Sequence, residues 1–338
     1  MIPLCLLVSG GINLLIPLLP AFAPIKYLWV INGIALSVLW PALIRLLAET
    51  LSAKHMARAS MLMGTTVATG TFFVYGTSAL FSLFSNFKWS FYTVAIALLA
   101  IALIWSLFSG GIVERAKIGC ACEQAEELSV PSKANDGRLA PRLILLIAML
   151  AIFGVAVNLI KDGLTTWVPS ILKETYELPD SLSIILTLTL PVLSIFGNSM
   201  AITIHKRIPN FVYHTAVMFG LSGIIIGGVI AGLSLGQFVP TLLGFGVVCL
   251  FVSSCNSLIT SIFPLFMKGK LNSGLMAGFL NGCCYVGSTI SSYGLGYVAD
   301  EHGWGMVFWI LLAICALVIA LSLIYMLICR LKPFKSTL

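Results

Sequence analysis

The stretch Asn158–Pro169, which reads NLIKDGLTTWVP, places two adjacent charges inside a long apolar run. The run begins at Leu143 and carries no charge before Lys161, and apolar sequence resumes after Asp162 as far as Lys173. An ionisable residue within a membrane helix is unfavourable by about 2.5–3.5 kcal/mol on insertion scales, so it usually faces a cavity and a partner. We therefore predict that Lys161 faces an aqueous cavity and binds an anion.

The depth of Lys161 in the membrane leaves a second interpretation open. Counted from Arg142 at about 1.5 Å per residue, Lys161 lies ~28 Å along the helix, almost through a bilayer core about 30 Å thick. At that depth the lysine would extend to the headgroups and Trp167 would be an interfacial anchor. Counted back from Lys173, Lys161 lies ~18 Å from the end, near the middle of the bilayer. Asp162 is not expected to neutralise Lys161, because adjacent side chains on a helix point about 100° apart.

The composition indicates an integral membrane protein. Charged residues make up 9% and hydrophobic residues 59% of the 338 residues, whereas soluble domains carry about 25% charged residues. Long apolar segments separated by charges and turn residues predict helices, since a barrel would alternate with a period of two. We predict an all-α integral membrane fold with ten spans, at residues 2–23, 27–48, 60–84, 89–112, 142–171, 182–204, 212–234, 238–263, 273–298 and 305–329.

The distribution of basic residues predicts the orientation of the spans. Most of the 19 Lys and Arg residues fall in alternate loops, on the side that holds the central loop and the C-terminus. We therefore predict a multi-pass plasma-membrane protein with a cytoplasmic C-terminus. The net charge of +7 follows from this bias, and no nucleic-acid partner is predicted. The nine cysteines and four histidines show no metal-ligand spacing, so no metal or cofactor is predicted.

An internal repeat relates the two halves of the chain. Residues 58–64 resemble residues 272–278, and Lys88-Trp89 recurs as Gly303-Trp304. Parallel repeats of this kind are typical of transporters that bind their substrate between two halves. We predict an incomplete N-terminal bundle of four spans at 1–112, a cytoplasmic linker at 113–141, a C-terminal six-helix bundle at 142–330 and a cytoplasmic tail at 331–338.

Three parts of the sequence carry a resemblance to a known family. They are Asn32-Gly33 with Trp40-Pro41, then Lys161 with Gly163, Trp167 and Pro169, and finally the run from Ala277-Gly278 through Tyr285-Val-Gly287 to Gly303-Trp304. The chain resembles the major facilitator superfamily over nearly its whole length, and within it the organophosphate:phosphate antiporters that carry glycerol 3-phosphate and hexose phosphates. The resemblance implies that the ten spans match family helices three to twelve. We attribute the lack of the first two helices to truncation or to a degenerate carrier.

The resemblance also implies a set of site residues. Lys161 matches a basic residue of the seventh family helix that binds substrate phosphate, Tyr285 matches a tyrosine of the same cavity, and Asn158 lies where relatives have another tyrosine. Thr66 is the nearest position to a histidine of the fifth family helix that has no match here. The residues themselves add Asn256, on a polar face of an otherwise apolar span. We expect Tyr285, Asn158 and Asn256 to donate hydrogen bonds to the substrate.

We expect a monomer that exchanges a phosphorylated metabolite for phosphate by alternating access, with no enzymatic activity. The unpaired charge of Lys161 would make the unoccupied carrier unfavourable to close, which favours exchange over net transport. The alternative is a proton-coupled symporter of a carboxylate such as a sugar acid, with Asp162 as the proton carrier. A transporter-like receptor for a sugar phosphate and an inactive truncated permease also remain open.

Overall fold

The computed structural model describes residues 1–19, 22–51, 53–83, 86, 88–127, 141–267 and 272–331. Within these ranges the regular structure is helical, and no β-strand occurs. Many large apolar side chains, such as Ile224 and Leu317, lie on the outside of the molecule. Backbone polar groups in lipid must be satisfied within the segment, so a helical chain with apolar outer faces suits a bilayer. The predicted all-α membrane fold is confirmed.

The helices follow one another with short connections. The described residues of the first half form α1 (Ile2–Leu15, continued by a 3-10 turn at Ile16–Leu18), α2 (Phe22–Ser37), α3 (Leu39–Thr50), α4 (Ala53–Leu83) and α5 (Lys88–Glu127). Those of the second half form α6 (Pro141–Tyr176), α7 (Asp180–Thr187), α8 (Thr189–Arg207), α9 (Phe211–Ser234), α10 (Phe238–Ser257), α11 (Phe263–Phe266), α12 (Ser273–Ile290) and α13 (Gly296–Leu331). A π-helical turn at Leu258–Ile262 joins α10 to α11, and another at Ser291–Leu295 joins α12 to α13.

Seven helical segments of the described chain are long and apolar enough to cross a membrane. They are Pro24–Leu47, Lys88–Gly111, Pro141–Tyr176, Leu182–Arg207, Phe211–Ser234, Phe238–Phe266 and Ser273–Cys329. The last one covers 57 residues, and a single crossing needs only about 20. Gly303 interrupts it with a φ of 77°, between the predicted ninth and tenth spans. α1 and α4 lie at the predicted first and third spans.

Two prolines explain breaks between consecutive helices. Pro41 has no N–H to donate to the carbonyl of Ser37, where α2 ends, and Pro191 likewise cannot donate to Thr187, where α7 ends. A missing N–H four residues later interrupts the hydrogen-bond ladder of an α-helix. Pro169 behaves differently, because α6 continues through it.

The chain forms two compact units. Unit 1 comprises Met1–Ser60, Phe73–Arg138 and Pro264–Phe279, and unit 2 comprises Met61–Phe72, Leu139–Phe263 and Leu280–Leu338. Each unit therefore includes a short segment from the other half of the sequence, and these two segments overlap the two copies of the predicted repeat. Helix α5 extends past the predicted bundle end to Glu127. The rest of the predicted linker and most of the predicted tail lie outside the described residues, and the domain boundaries stay a prediction.

Each unit has its own close packing. In unit 1, α1 packs against α5 at Gly10, where an added Cβ would lie 2.9 Å from the side chain of Leu99. In unit 2, the rings of Phe245 on α10 and Phe308 on α13 stack with their centroids 5.5 Å apart, and both side chains are fully buried. The buried side of α6 packs into this second unit. Unit 2 therefore holds Lys161 on a helix that is anchored along most of its length.

Candidate functional site

Lys161 lies on α6, within unit 2. Its side chain is 15% exposed, and the neighbouring apolar residues Val157, Ile160 and Leu164 of the same helix are buried. A lysine that extended to the headgroups would keep its ammonium group in solvent. The structure therefore places the Lys161 side chain largely inside its helical unit. Its predicted role as an anion ligand stays a prediction.

Asp162 forms an ion pair with Lys161. The Lys161 Nζ lies 3.5 Å from the Asp162 Oδ1, and the Asp162 side chain is 29% exposed. The expectation that these two neighbours cannot neutralise one another is wrong. Adjacent Cα–Cβ bonds on a helix do diverge, but the four-carbon stem of lysine is flexible enough to return the ammonium group to the carboxylate. The protein itself thus supplies a counter-charge for Lys161.

Ser288, in α12, joins this ion pair to Asn158. The Ser288 hydroxyl donates a hydrogen bond to the Asp162 Oδ2 and accepts one from the Asn158 Nδ2 at 3.3 Å. Asn158 lies almost one turn before Lys161 and is only 6% exposed. We refer to Asn158, Lys161, Asp162 and Ser288 as the Lys161 cluster. The cluster combines an ammonium group, a carboxylate, a hydroxyl and an amide, a set that can bind an anion or a proton.

Glycines allow α6 and α12 to approach closely enough for these bonds. At Gly287, next to Ser288, an added Cβ would collide with the backbone of Val155 on α6. At Gly163, next to Asp162, an added Cβ would lie 3.3 Å from the Ser291 Cβ. Small residues at helix crossings permit such close backbone contact. Sequence reasoning missed Ser288, although a serine beside a contact glycine on the polar side of a span was a usable signal.

Asn256, on α10, lies next to the Lys161 cluster without a described hydrogen bond to any of its members. The thiol of Cys284 on α12 lies 4.0 Å from the Asn256 Oδ1. The thiols of Cys284 and of Cys249 on α10 are both within electrostatic range of Lys161 and Asp162. Helices α6, α10 and α12 therefore surround the ion pair. Asn256 stays a predicted substrate contact.

No contact within the described part of the chain brings Tyr285 or Thr66 to the Lys161 cluster. Tyr285 is 56% exposed, and its carbonyl accepts a hydrogen bond from Thr289 of its own helix at 2.9 Å. Thr66 is exposed, and its hydroxyl donates to the carbonyl of Met63 at 2.6 Å. Their roles as substrate contacts stay predictions that rest on the resemblance.

Trp167 connects α6 to α12 and α13. Its indole N–H donates to the carbonyl of Ser291 at 3.2 Å, in the π-helical turn that follows α12. Its ring centroid lies 5.9 Å from that of Trp304, whose indole donates to Glu174 at 2.7 Å. Gly296 lies against the face of Trp167. Trp167 is therefore held between helices, and it fixes α6 relative to the π-helical turn just beyond the Lys161 cluster.

A metal centre is not evident in the residues that the structure describes, since they contain no group of three or more His, Cys, Asp or Glu side chains able to hold an ion. A comparison with protein families gives a clear result. The model of the Major Facilitator Superfamily matches residues 1–273. The chain belongs to the major facilitator superfamily. The predicted superfamily is thereby confirmed, and the organophosphate antiporter subgroup stays a prediction.

Solved structures of superfamily members and other transporters resemble this major facilitator protein. The proton:xylose symporter XylE bound to 6-bromo-6-deoxy-D-glucose matches with a TM-score of 0.64 at 15% identity, over 95% of this chain and 78% of that chain. Two structures of a bacterial homologue of the iron transporter ferroportin in the outward-facing state, one with soaked iron, match with TM-scores of 0.43 and 0.45 at 12% and 11% identity. They cover 98% of this chain and 100% and 98% of theirs. No curated protein matches the sequence.

Membership of the superfamily establishes the general activity. The protein is a multi-pass membrane transporter that moves a small molecule by alternating access, rather than an enzyme. The likeness to the xylose symporter shows the fold alone at 15% identity. The substrate must therefore be inferred from the residues of this chain.

Proposed function

We propose that this transporter carries a small organic anion and that Lys161 is the residue that contacts its negative group. The observation that supports the proposal is the ion pair of Lys161 with Asp162, only 15% and 29% exposed, within a membrane helix. Ionisable residues at such positions usually mark a substrate or ion pathway. A carboxylate already beside the lysine shows that the local geometry suits an oxyanion.

Asp162 favours proton coupling over exchange for phosphate. An anion can replace Asp162 beside Lys161 only if the carboxylate loses its charge or moves away, because two negative groups cannot share one ammonium at close range without repulsion. A proton on Asp162 removes the competing charge and releases the lysine. The preference for exchange rested on an unpaired lysine, and the ion pair removes that reason. The geometry therefore supports a proton-coupled anion symporter, with a hydroxylated carboxylate or an organic phosphate as substrate.

Uptake into proteoliposomes tests the proposal. The full chain would be reconstituted with an imposed inward proton gradient, and radiolabelled D-gluconate, glycerol 3-phosphate and inorganic phosphate would be supplied outside. We expect uptake of at least one anion to depend on the gradient and to be lost in Lys161→Met. Lys206→Met is the matched control, since Lys206 is an exposed lysine at the end of α8, and it should transport normally.

The other outcomes identify the competing functions. Uptake that requires a second anion inside the vesicle, and no proton gradient, supports exchange for phosphate. Binding without uptake supports the receptor, and the absence of both supports an inactive permease. Undiminished uptake by Lys161→Met contradicts the role of Lys161. The plasma-membrane location, the cytoplasmic C-terminus and the monomeric state stay predictions.

A further inference from the structure

The hydrogen bonds of the Lys161 cluster have directions that the chemistry of its members determines. A carboxylate only accepts hydrogen bonds, so the Ser288 hydroxyl gives its single hydrogen to Asp162. Ser288 can then only accept from Asn158, whose Nδ2 lies 3.3 Å from the Ser288 Oγ. The charge on Asp162 therefore sets which end of the Asn158 amide faces Ser288.

The other end of that amide is unsatisfied. The Asn158 Oδ1 is buried and has no hydrogen-bond partner, and the residue is only 6% exposed. A buried acceptor without a donor is unfavourable and rare in folded proteins. An anion presents only acceptors to its site, so this oxygen would repel a substrate bound to Lys161. The same amide could attract an anion if its two hydrogens were presented instead.

We propose that a proton on Asp162 reverses this hydrogen-bond relay and converts Asn158 into a donor for the transported anion. The protonated Asp162 donates its hydrogen to Ser288, and Ser288 then donates its own hydrogen to the Oδ1 of a turned Asn158. The Asn158 Nδ2 becomes available to the anion. The proton stays on Asp162 throughout, and only the directions of hydrogen bonds change. This inference rests on the proposed function and deepens it.

The surroundings of Asp162 contain few other groups that could take its proton. Its electrostatic neighbours among the described residues are Lys161 on α6 and the thiols of Cys249 on α10 and Cys284 on α12. Neutral thiols leave the Lys161–Asp162 pair as the charged centre. The carbonyl of Cys284 lies 3.4 Å from the Ser288 Oγ and is the competing acceptor for the Ser288 hydrogen. The test must therefore separate a relay to Asn158 from a turn of Ser288 toward its own helix.

Binding measured at two pH values makes that separation. Affinities of the purified full chain for D-gluconate, glycerol 3-phosphate and inorganic phosphate would be measured by calorimetry at about pH 5.5 and about pH 7.5. If one proton binds with each anion, affinity should fall by up to about tenfold per pH unit above the pKa of the proton site. In Ser288→Ala, the Asn158 amide can turn at either pH. Affinity at the higher pH should then rise, and the ratio between the two pH values should fall by about fivefold, the contribution of one hydrogen bond.

Three further variants make the result specific. Ser292→Ala is the matched control, because the exposed Ser292 hydroxyl donates to the carbonyl of Ser288 in its own helix at 2.9 Å, and its ratio should match the wild type. Ser288→Thr retains the hydroxyl and should restore the wild-type ratio. Asn158→Leu removes the amide, so it should lower the ratio by weakening binding at the lower pH, and Ser288→Ala should add nothing to it.

Each remaining outcome overturns something definite. A wild-type ratio in both Ser288→Ala and Asn158→Leu overturns the relay and leaves anion transport through Lys161 in place. Additive effects of these two substitutions also overturn it, because a relay predicts coupling between them. If Ser288→Ala does not fold, Asn158→Leu alone decides by its ratio. If none of the three anions binds to the wild type at either pH, the proposed function and the relay both fail.

Discussion

A double-mutant cycle on stability tests whether Lys161 and Asp162 form a real ion pair inside the membrane protein. Lys161→Met removes the ammonium group while retaining the length of the side chain, and Asp162→Asn removes the carboxylate charge. Removal of one partner of a fully buried pair destabilises a protein by about 3–5 kcal/mol, since the other charge is left uncompensated. The two side chains here are 15% and 29% exposed. We therefore expect a smaller loss of about 1–3 kcal/mol for each single substitution.

The double variant distinguishes pairing from simple loss of polar groups. With both charges gone, nothing is left uncompensated, so Lys161→Met with Asp162→Asn should be within about 1 kcal/mol of the wild type. Thermal unfolding followed by tryptophan fluorescence, in one detergent for all variants, is the measurement. Each single substitution should lower the Tm by about 2–8 °C, and the double variant should recover most of that loss.

An exposed ion pair in the same chain provides the control. The Arg45 Nε lies 2.7 Å from the Glu49 Oε1, with side chains 65% and 49% exposed. Exposed pairs of this kind contribute about 0.2–1 kcal/mol, so Arg45→Met should change the Tm little. The reasoning is refuted if Lys161→Met is no more destabilising than Arg45→Met. It is equally refuted if the two single losses simply add in the double variant.

Two glycines yield further predictions, each with a control in the same part of the chain. Gly287→Ala should push α6 and α12 apart, because its Cβ would collide with the backbone of Val155; unfolding and transport should both suffer, whereas Gly282→Ala, which has open space around it, should behave as the wild type. Gly303→Ala should lower stability by about 1–3 kcal/mol, because a φ of 77° with a ψ of 168° is accessible almost only to glycine. Gly305→Ala, also in open space, should shift the Tm by less than half as much, and equal shifts would contradict the conformational argument.

The sequence predicted the helices well because hydropathy and proline act locally. A membrane span needs about 20 consecutive apolar residues, and that requirement is visible without knowledge of any partner helix. Pro41 and Pro191 likewise act on carbonyls four residues earlier, so the breaks that precede them are encoded within single helices. The unusual position of Lys161 could be recognised for the same reason, as a charge in an apolar run.

The partners of Lys161 could not be predicted in the same way. The contact of Asp162 with Ser288 joins residues 126 positions apart, and it exists only because Gly287 lets α12 reach the backbone of α6. The rotation of one helix against another is set by the packing of whole faces, which a sequence pattern does not reveal. The pairing of Lys161 with its immediate neighbour was misjudged for a different reason. A rule about Cα–Cβ directions was applied to a long and flexible side chain.

The neutrality of the Lys161–Asp162 pair bears on the direction of transport. A carrier whose binding lysine has no internal partner must hold a substrate to change conformation cheaply, which is the condition for exchange. Here the carboxylate of Asp162 compensates the lysine before any anion binds, and a protonated Asp162 together with a bound anion is compensated as well. The state with a bound anion and a charged Asp162 carries the extra negative charge, and the state with a proton but no anion carries an unpaired ammonium. Two of the four states are therefore electrostatically balanced, and alternation between them moves one proton with one negative charge in the same direction. On this reasoning the Lys161 cluster is built for symport, and an exchange mechanism would require Asp162 to leave Lys161 in every cycle without being protonated.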